Sequence, residues 1–191
     1  SSPVISNCTI TNNGPTIIGG GISIIEGNPV IESCFISDSA DIIGDVEIGK
    51  DSSIWFGSVV RGDMNQIKIG SKTNIQDNSV VHVTTEVAPT VIGNGVTIGH
   101  RAIIHGCTIN DNCLIGMGCI IMDLAIIGKG SIIAAGALVP PGMKVPSRKL
   151  MVGIPAKPIR DITPQEYADI KKSALHYILF SKKYKKLQNP K

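Results

Sequence analysis

Aromatic residues are scarce in this chain: one Trp, three Tyr and three Phe among 191 residues. Immunoglobulin-like sandwiches and the stacking platforms that hold single-stranded nucleic acid both lean on aromatic rings, so neither is expected. Leucine is scarce too, with 7 against 33 Ile and 14 Val. Helical bundles favour Leu and Ala, whereas β-branched side chains suit pleated surfaces, so the chain reads as mostly β with a core of small apolar side chains. Five cysteines, an odd number without a C-x-x-C pair or zinc-finger spacing, argue against a secreted disulfide framework and for a reducing, cytoplasmic compartment. No run of 18 uninterrupted apolar residues occurs, and SSPVISNCTI has no basic segment leading into an apolar one. Neither a membrane span nor a signal peptide is therefore expected, with the opening Ser1 leaving an upstream targeting segment open. Acidic residues are missing from 171–191, which carry seven Lys; the first 170 residues hold 11 basic and 15 acidic groups, a net of −4. The overall +3 thus belongs to the tail, and a nucleic-acid footprint is not expected.

What is present is a period of six. Apolar residues recur at Ile36, Ile42, Ile48, Ile54 and Val60, then Ile69, Ile75 and Val81, then Ile92, Ile98 and Ile104, then every sixth residue from Ile109 to Val145. The steps 60→69 and 81→92 are three and five residues too long, which reads as two insertions, and 104→109 is one short. Many of these residues are followed by Gly or Ala and, four positions on, by a small residue, as in IGKDSS, IGSKTN and IGKGSI. Six fits neither the 3.6 of a helix nor the two of a strand in ordinary hairpins. It fits a chain that turns a corner every six residues, so that three sides close one coil of about eighteen residues and each coil pairs with the next at ~4.8 Å. The expected fold is an all-β solenoid over 31–147.

After Val145 the pattern gives way to VPSRKLMVGIPAKPIRDITP, whose prolines lack the donor that a sheet needs, so the coil is expected to end there, with 148–163 as an exit segment. Thr163-Pro164-Gln165-Glu166 reads as a capping box with Pro at the first helical position, and Tyr167, Ile170, Ala174, Tyr177 and Ile178 follow at three- and four-residue spacing. This predicts a helix over 164–187. Residues 1–30 contain no clean hexapeptide and are assigned as an arm or a distorted first coil. Cys107, Cys113 and Cys119 fall in the small inward position and are assigned to packing, while Trp55 and Phe56, next to the inward Ile54, are expected to point outward.

The register also places the histidines. His82 and His105 each follow an inward residue by one, and their separation of 23 is a coil plus the five-residue insertion, so they stack at one corner of neighbouring coils below which Arg61 continues the column. Asp77 and His100, two after the inward Ile75 and Ile98, form a second column on a different side. One coil does not bring His100 and His105 onto a single small ion; a threefold assembly can, by packing the second column of one chain against the first column of its neighbour. Three neutral imidazoles and an open fourth position suit a catalytic zinc, which lowers the pKa of a bound water towards ~7. Iron(II) and cobalt accept three imidazoles as well. Asp63, Asp77 and Gln76 are candidates for orienting the ligands or the water.

With R-G-D at 61–63, N-I-Q-D at 74–77, V-V-H at 80–82 and G-H-R-A-I-I-H-G-C at 99–107, the chain resembles the γ-class carbonic anhydrase-like family of hexapeptide-repeat proteins over roughly residues 30–187. The resemblance implies a left-handed parallel β-helix with a C-terminal α-helix and a homotrimer with a zinc site at each subunit contact. It implies His82 and His105 from one chain and His100 from the next as ligands, and Arg61 and Asp77 as an ion pair between subunits. Gln76, with Asp63, is implied beside the metal-bound solvent, and Tyr177 lines the site from the helix. The family prototype has a glutamate where this chain has Met64, and a longer acidic loop where VTTEVAPT offers only Glu86 as a proton relay. Attack of metal-bound hydroxide on a small carbonyl compound other than carbon dioxide, such as an acyl thioester, therefore stays open. Two further readings compete: an acyltransferase using one histidine as base and an acyl-coenzyme A donor, and a non-catalytic trimeric scaffold with a residual zinc site.

Overall fold

The computed structural model describes residues 34–188 together with two short strands, Ile22–Ser23 and Val30–Ile31. Most of the arm assigned to 1–30, and Cys8, lie outside the described residues. The six-residue period becomes three flat sides. The first stacks Ile36, Ile54, Ile75, Ile98, Ile115 and Ile133 in parallel register. The second stacks Ile42, Val60, Val81, Ile104, Ile121 and Val139. Ile48, Ile69, Ile92, Ile109, Ile127 and Val145 form the third. The result is a parallel β-solenoid of about six turns with one C-terminal helix. All of these side chains except the partly buried Ile36 lie in the core, each stabilising the fold by ~2 kcal/mol through loss of apolar surface to water.

Corners require backbone that ordinary residues avoid. Between the first and second sides, Gly57, Asn78, Arg101, Gly118 and Gly136 occupy one column with φ between 58° and 69°. Glycine adopts this left-handed region freely, whereas a side chain there costs ~1 kcal/mol. The small inward slots carry groups that satisfy corner carbonyls: Ser52 donates to the Gly70 carbonyl at 2.7 Å and Ser58 to that of Gln76 at 2.8 Å. Cys113 and Cys119 occupy equivalent slots, their thiols donating to the Gly128 and Ala134 carbonyls at 3.3 and 2.9 Å. Burial pushes the Cys107 thiol up to about 12 and that of Cys113 up to about 11, which suits packing and not metal ligation or redox work.

The two insertions enter at the corner between the second and third sides. Residues 63–66 bulge out where the register shifts between Gly44↔Gly62 and Val46↔Ile67. On the next coil, residues 83–88 form a loop closed by a Thr84↔Ala88 bridge. The solenoid runs one side further than the sequence pattern suggests. Lys149–Val152 pairs in parallel with Ile132–Ile133, putting Met151 over Ile133, and Lys157–Asp161 returns antiparallel against it. Proline ends a ladder only where its nitrogen is needed; Pro146 falls at a corner, and the next, Pro155, comes after the added strand.

The helix α1 spans Pro164–Gln188. Its start is a reciprocal capping box: Glu166 N–H donates to Thr163 Oγ1 at 3.1 Å and Thr163 N–H donates to Glu166 Oε2 at 2.7 Å. Ile170, Ala174 and Ser181 are buried against the first side of the coil. Trp55 points outward into this contact, its ring centroid 5.5 Å from Tyr177 and 5.3 Å from Tyr184, while Phe56 is partly exposed. Among the described residues no helix is long and apolar enough to cross a membrane.

Candidate metal centre

His82 and His105 end the neighbouring strands Val80–His82 and Ile103–His105 and are direct partners in the ladder. Inward Val81 and Ile104 fix each strand, so alternation aims the following histidine outward, and the pairing puts one ring beside the other. The ring centroids are 5.1 Å apart and His82 Nδ1 lies 3.1 Å from His105 Nε2.

Each imidazole has a carboxylate on its other nitrogen. His82 Nε2 lies 3.1 Å from Asp63 Oδ1, and His105 Nδ1 lies 2.6 Å from Asp123 Oδ1. Arg61 pairs with the second oxygen of Asp63, and Thr84 Oγ1 donates to Asp123 Oδ1 at 3.0 Å. Burial pushes both carboxyls up. Hydrogen bonds from Arg61 and His82 outweigh it at Asp63, those from His105 and Thr84 at Asp123, and both stay below the ordinary carboxylate range. Assigning each ring proton to the nitrogen that faces a carboxylate leaves His82 Nδ1 and His105 Nε2 as two lone pairs facing each other. Two acceptors at that distance repel unless a proton or a cation lies between them. A tetrahedral ion with nitrogen ligands at ~2.0–2.1 Å holds adjacent donors ~3.3 Å apart, so the observed spacing fits two neighbouring ligands of zinc.

Asp123 was not singled out by the sequence. It lies eighteen residues beyond His105, one ordinary coil, but two after the inward Ile121, not one, so it falls outside the column and reaches back from the corner. Asp77 and His100 do stack: His100 Nδ1 is 2.8 Å from Asp77 Oδ2, through the Ile75↔Ile98 register. They stand at the corner between the first and second sides, away from His82 and His105. Among the described residues no three His, Cys, Asp or Glu side chains group to hold a metal ion within one chain. Arg61 and Asp77 are likewise apart, engaged by Asp63 and His100 respectively.

Of the remaining candidates, Gln76 is buried and donates to Asn74 Oδ1 at 3.1 Å. Tyr177 is half-buried on α1 near the second pair; burial, and then the charge of Asp77, push its phenol up. Glu86 is exposed at the left-handed tip of the second insertion, φ 55°, and has no hydrogen bond or ion pair among the described residues. The fourth histidine of the chain, His176, is not among those candidates and is exposed on α1, its ring 4.6 Å from that of Phe180.

Residues 89–123 and 106–141 match the family described as bacterial transferase hexapeptide (six repeats). The chain is 45% identical over 163 residues to gamma carbonic anhydrase 2, mitochondrial, of Arabidopsis thaliana, covering 82% of this chain and 59% of that one. It therefore spans less than two thirds of that plant protein's length. It is 44% identical over 159 residues to a carbonic anhydrase of Geobacillus kaustophilus, covering 83% and 87% of the two chains. The solved structure of a hexapeptide transferase family protein from Anaplasma phagocytophilum superposes with a TM-score of 0.82 at 46% identity, covering 87% of this chain and 98% of that one. Taken with the repeat and the paired histidines, these likenesses establish that the chain belongs to the γ-class carbonic anhydrase-like family of hexapeptide-repeat proteins.

Proposed function

We propose that the chain is a carbonic anhydrase-like metalloenzyme, active as a homotrimer, whose metal is held by His82 and His105 of one subunit and His100 of the next. The observation that carries this reading is the pair of facing ring nitrogens at 3.1 Å, each backed by a carboxylate. His82, His105 and the neighbour's His100 would hold zinc, or iron(II) or cobalt(II) in its place, and the ion when bound would supply a water acidified towards pKa ~7 for attack on carbon dioxide or a related small carbonyl compound.

The chain's own residues do the rest. Asp63, Asp123 and Asp77 each fix the tautomer and orientation of one histidine. The second side supports the assembly. Its inward row alternates with an outward row of Val59, Val80, Ile103, Ile120 and Leu138, and Val80 and Ile103 are 38% and 41% exposed. An apolar ladder of this length on open surface is what a subunit contact covers. Docking the corner that carries His100 against this side brings the third imidazole to the first two and lets Arg61 reach Asp77 of the neighbour. Gln76 and Tyr177 then line the approach to the carbon under attack. With Met64 apolar and accepting only the Thr85 hydroxyl, at 3.3 Å, Glu86 is the one carboxylate of the insertions free to carry a proton to solvent.

Metal content and molecular mass of the purified protein test the proposal. About one metal per chain in a trimer, lost in His105→Ala, supports it and directs assays to carbon dioxide hydration and thioester hydrolysis. A folded wild type that stays metal-free in added zinc sinks it, moving the weight to an acyltransferase or a scaffold.

A further inference from the structure

We propose that Arg101 is the anion-binding residue of this site, holding a planar, singly charged oxyanion of bicarbonate size through its guanidinium fork. The inference rests on the reading of His100 as a metal ligand.

The chain has four arginines, and three are engaged. Arg61 pairs with Asp63, Arg160 makes a two-pronged contact with Glu166 at 2.7 and 2.8 Å, and Arg148 lies 3.8 Å over the ring of Tyr167. Within a single chain Arg101 is exposed and has no ion pair or ring contact among the described residues, and in the proposed trimer it lies beside His100 at the subunit contact. Asp77 receives the Arg101 backbone N–H on its carbonyl at 2.9 Å but commits its side chain to His100. Arg101 also occupies an unfavourable backbone position: its φ is 59°, in a column otherwise filled by Gly57, Asn78, Gly118 and Gly136. Lys72 and Arg148 take the same conformation at other corners, with φ of 58° and 61°, so the backbone tolerates a long side chain there. Arg101 borders an open cavity of about 400 Å³ shared with His100, Met117 and Gly118.

The chemistry fits the reaction class. Hydration turns a neutral, apolar substrate into a monoanion, and a planar guanidinium offers two parallel N–H donors matched to the two oxygens of such an anion. Lysine in the same place would supply charge without the fork. A neutral carbonyl substrate gains little from Arg101.

The test is a titration of the full-length protein with ¹³C-labelled bicarbonate at fixed ionic strength, read from line broadening, on wild type, Arg101→Gly and Arg101→Lys. Zinc content and thermal midpoint are measured on the same samples. Arg101→Gly matches its column, so its midpoint should not fall. The expected result is bicarbonate bound about tenfold more weakly by Arg101→Gly, with Arg101→Lys between it and wild type, all three holding equal zinc. Zinc-loaded Arg101→Gly binding bicarbonate within a factor of about two of wild type would overturn the inference and leave the metal reading intact. Zinc-loaded wild type that binds no bicarbonate overturns it as well. Absence of zinc from every sample is the separate failure of the metal reading.

Discussion

At the scale of single residues, the centre is built from pairs and not from isolated ligands. Asp123 is the informative member. Its carboxylate takes a 2.6 Å bond from His105 and a 3.0 Å bond from Thr84, so it holds one ring and one insertion loop together. Asp123→Ala should leave the solenoid folded while weakening zinc binding by about 10- to 100-fold, the effect of removing a carboxylate behind a histidine ligand. Competition with a coloured chelator measures it, and unchanged affinity would show that His105 does not bind the metal. The two His columns were legible in the sequence, because a coil plus an insertion of known length is arithmetic. Asp123 was not, because the short step 104→109 moves it one place along its corner, and distance from the column hid a side chain that simply reaches back.

At the scale of elements, local chemistry was the clearest guide. The capping box over Thr163–Glu166 places the start of α1 at Pro164, and both reciprocal bonds are present. The end of the coil was less legible: a proline count cannot tell a corner from a strand, and Lys149–Val152 adds a rung that Pro146 does not prevent. Arg160 extends the cap by pairing with Glu166. That side-chain bond, with the Thr163 N–H, lowers the Glu166 carboxyl from 4.5 to about 2. A carboxyl depressed in the folded state stabilises above its unfolded value and loses that contribution as pH falls through the folded one. The thermal midpoint of wild type should therefore exceed that of Glu166→Gln at pH 7, with the gap closing between pH 4.5 and about 2. A gap that persists in acid would mean the variant acts through packing.

At the scale of the whole molecule, the solenoid is nearly one-dimensional, each coil resting on the ones above and below. Ile103 and Ile104, adjacent on one strand, face opposite ways, 41% and 0% exposed. Ile104→Ala should destabilise the fold by ~2–5 kcal/mol in denaturant titration, because it opens a void in the central stack. If the second side is the subunit contact of the proposed trimer, Ile103→Lys should leave that titration little changed and shift the protein from trimer to monomer in light scattering, with loss of the metal. A stable, metal-loaded trimer of Ile103→Lys would place the subunit contact elsewhere.

Both insertions leave the coil and rejoin it at paired residues of one corner, on consecutive turns, without moving the inward rungs on either side. That corner behaves as a socket. Segments of other lengths can be exchanged there while the histidines, held by the strands, keep their positions, provided that Asp63 and Thr84, which brace the two rings, are retained. In the proposed metalloenzyme, substrate preference and proton delivery could thus change through the inserted segments, and grafting a longer acidic loop after Thr84 is a direct way to test for a different working rate.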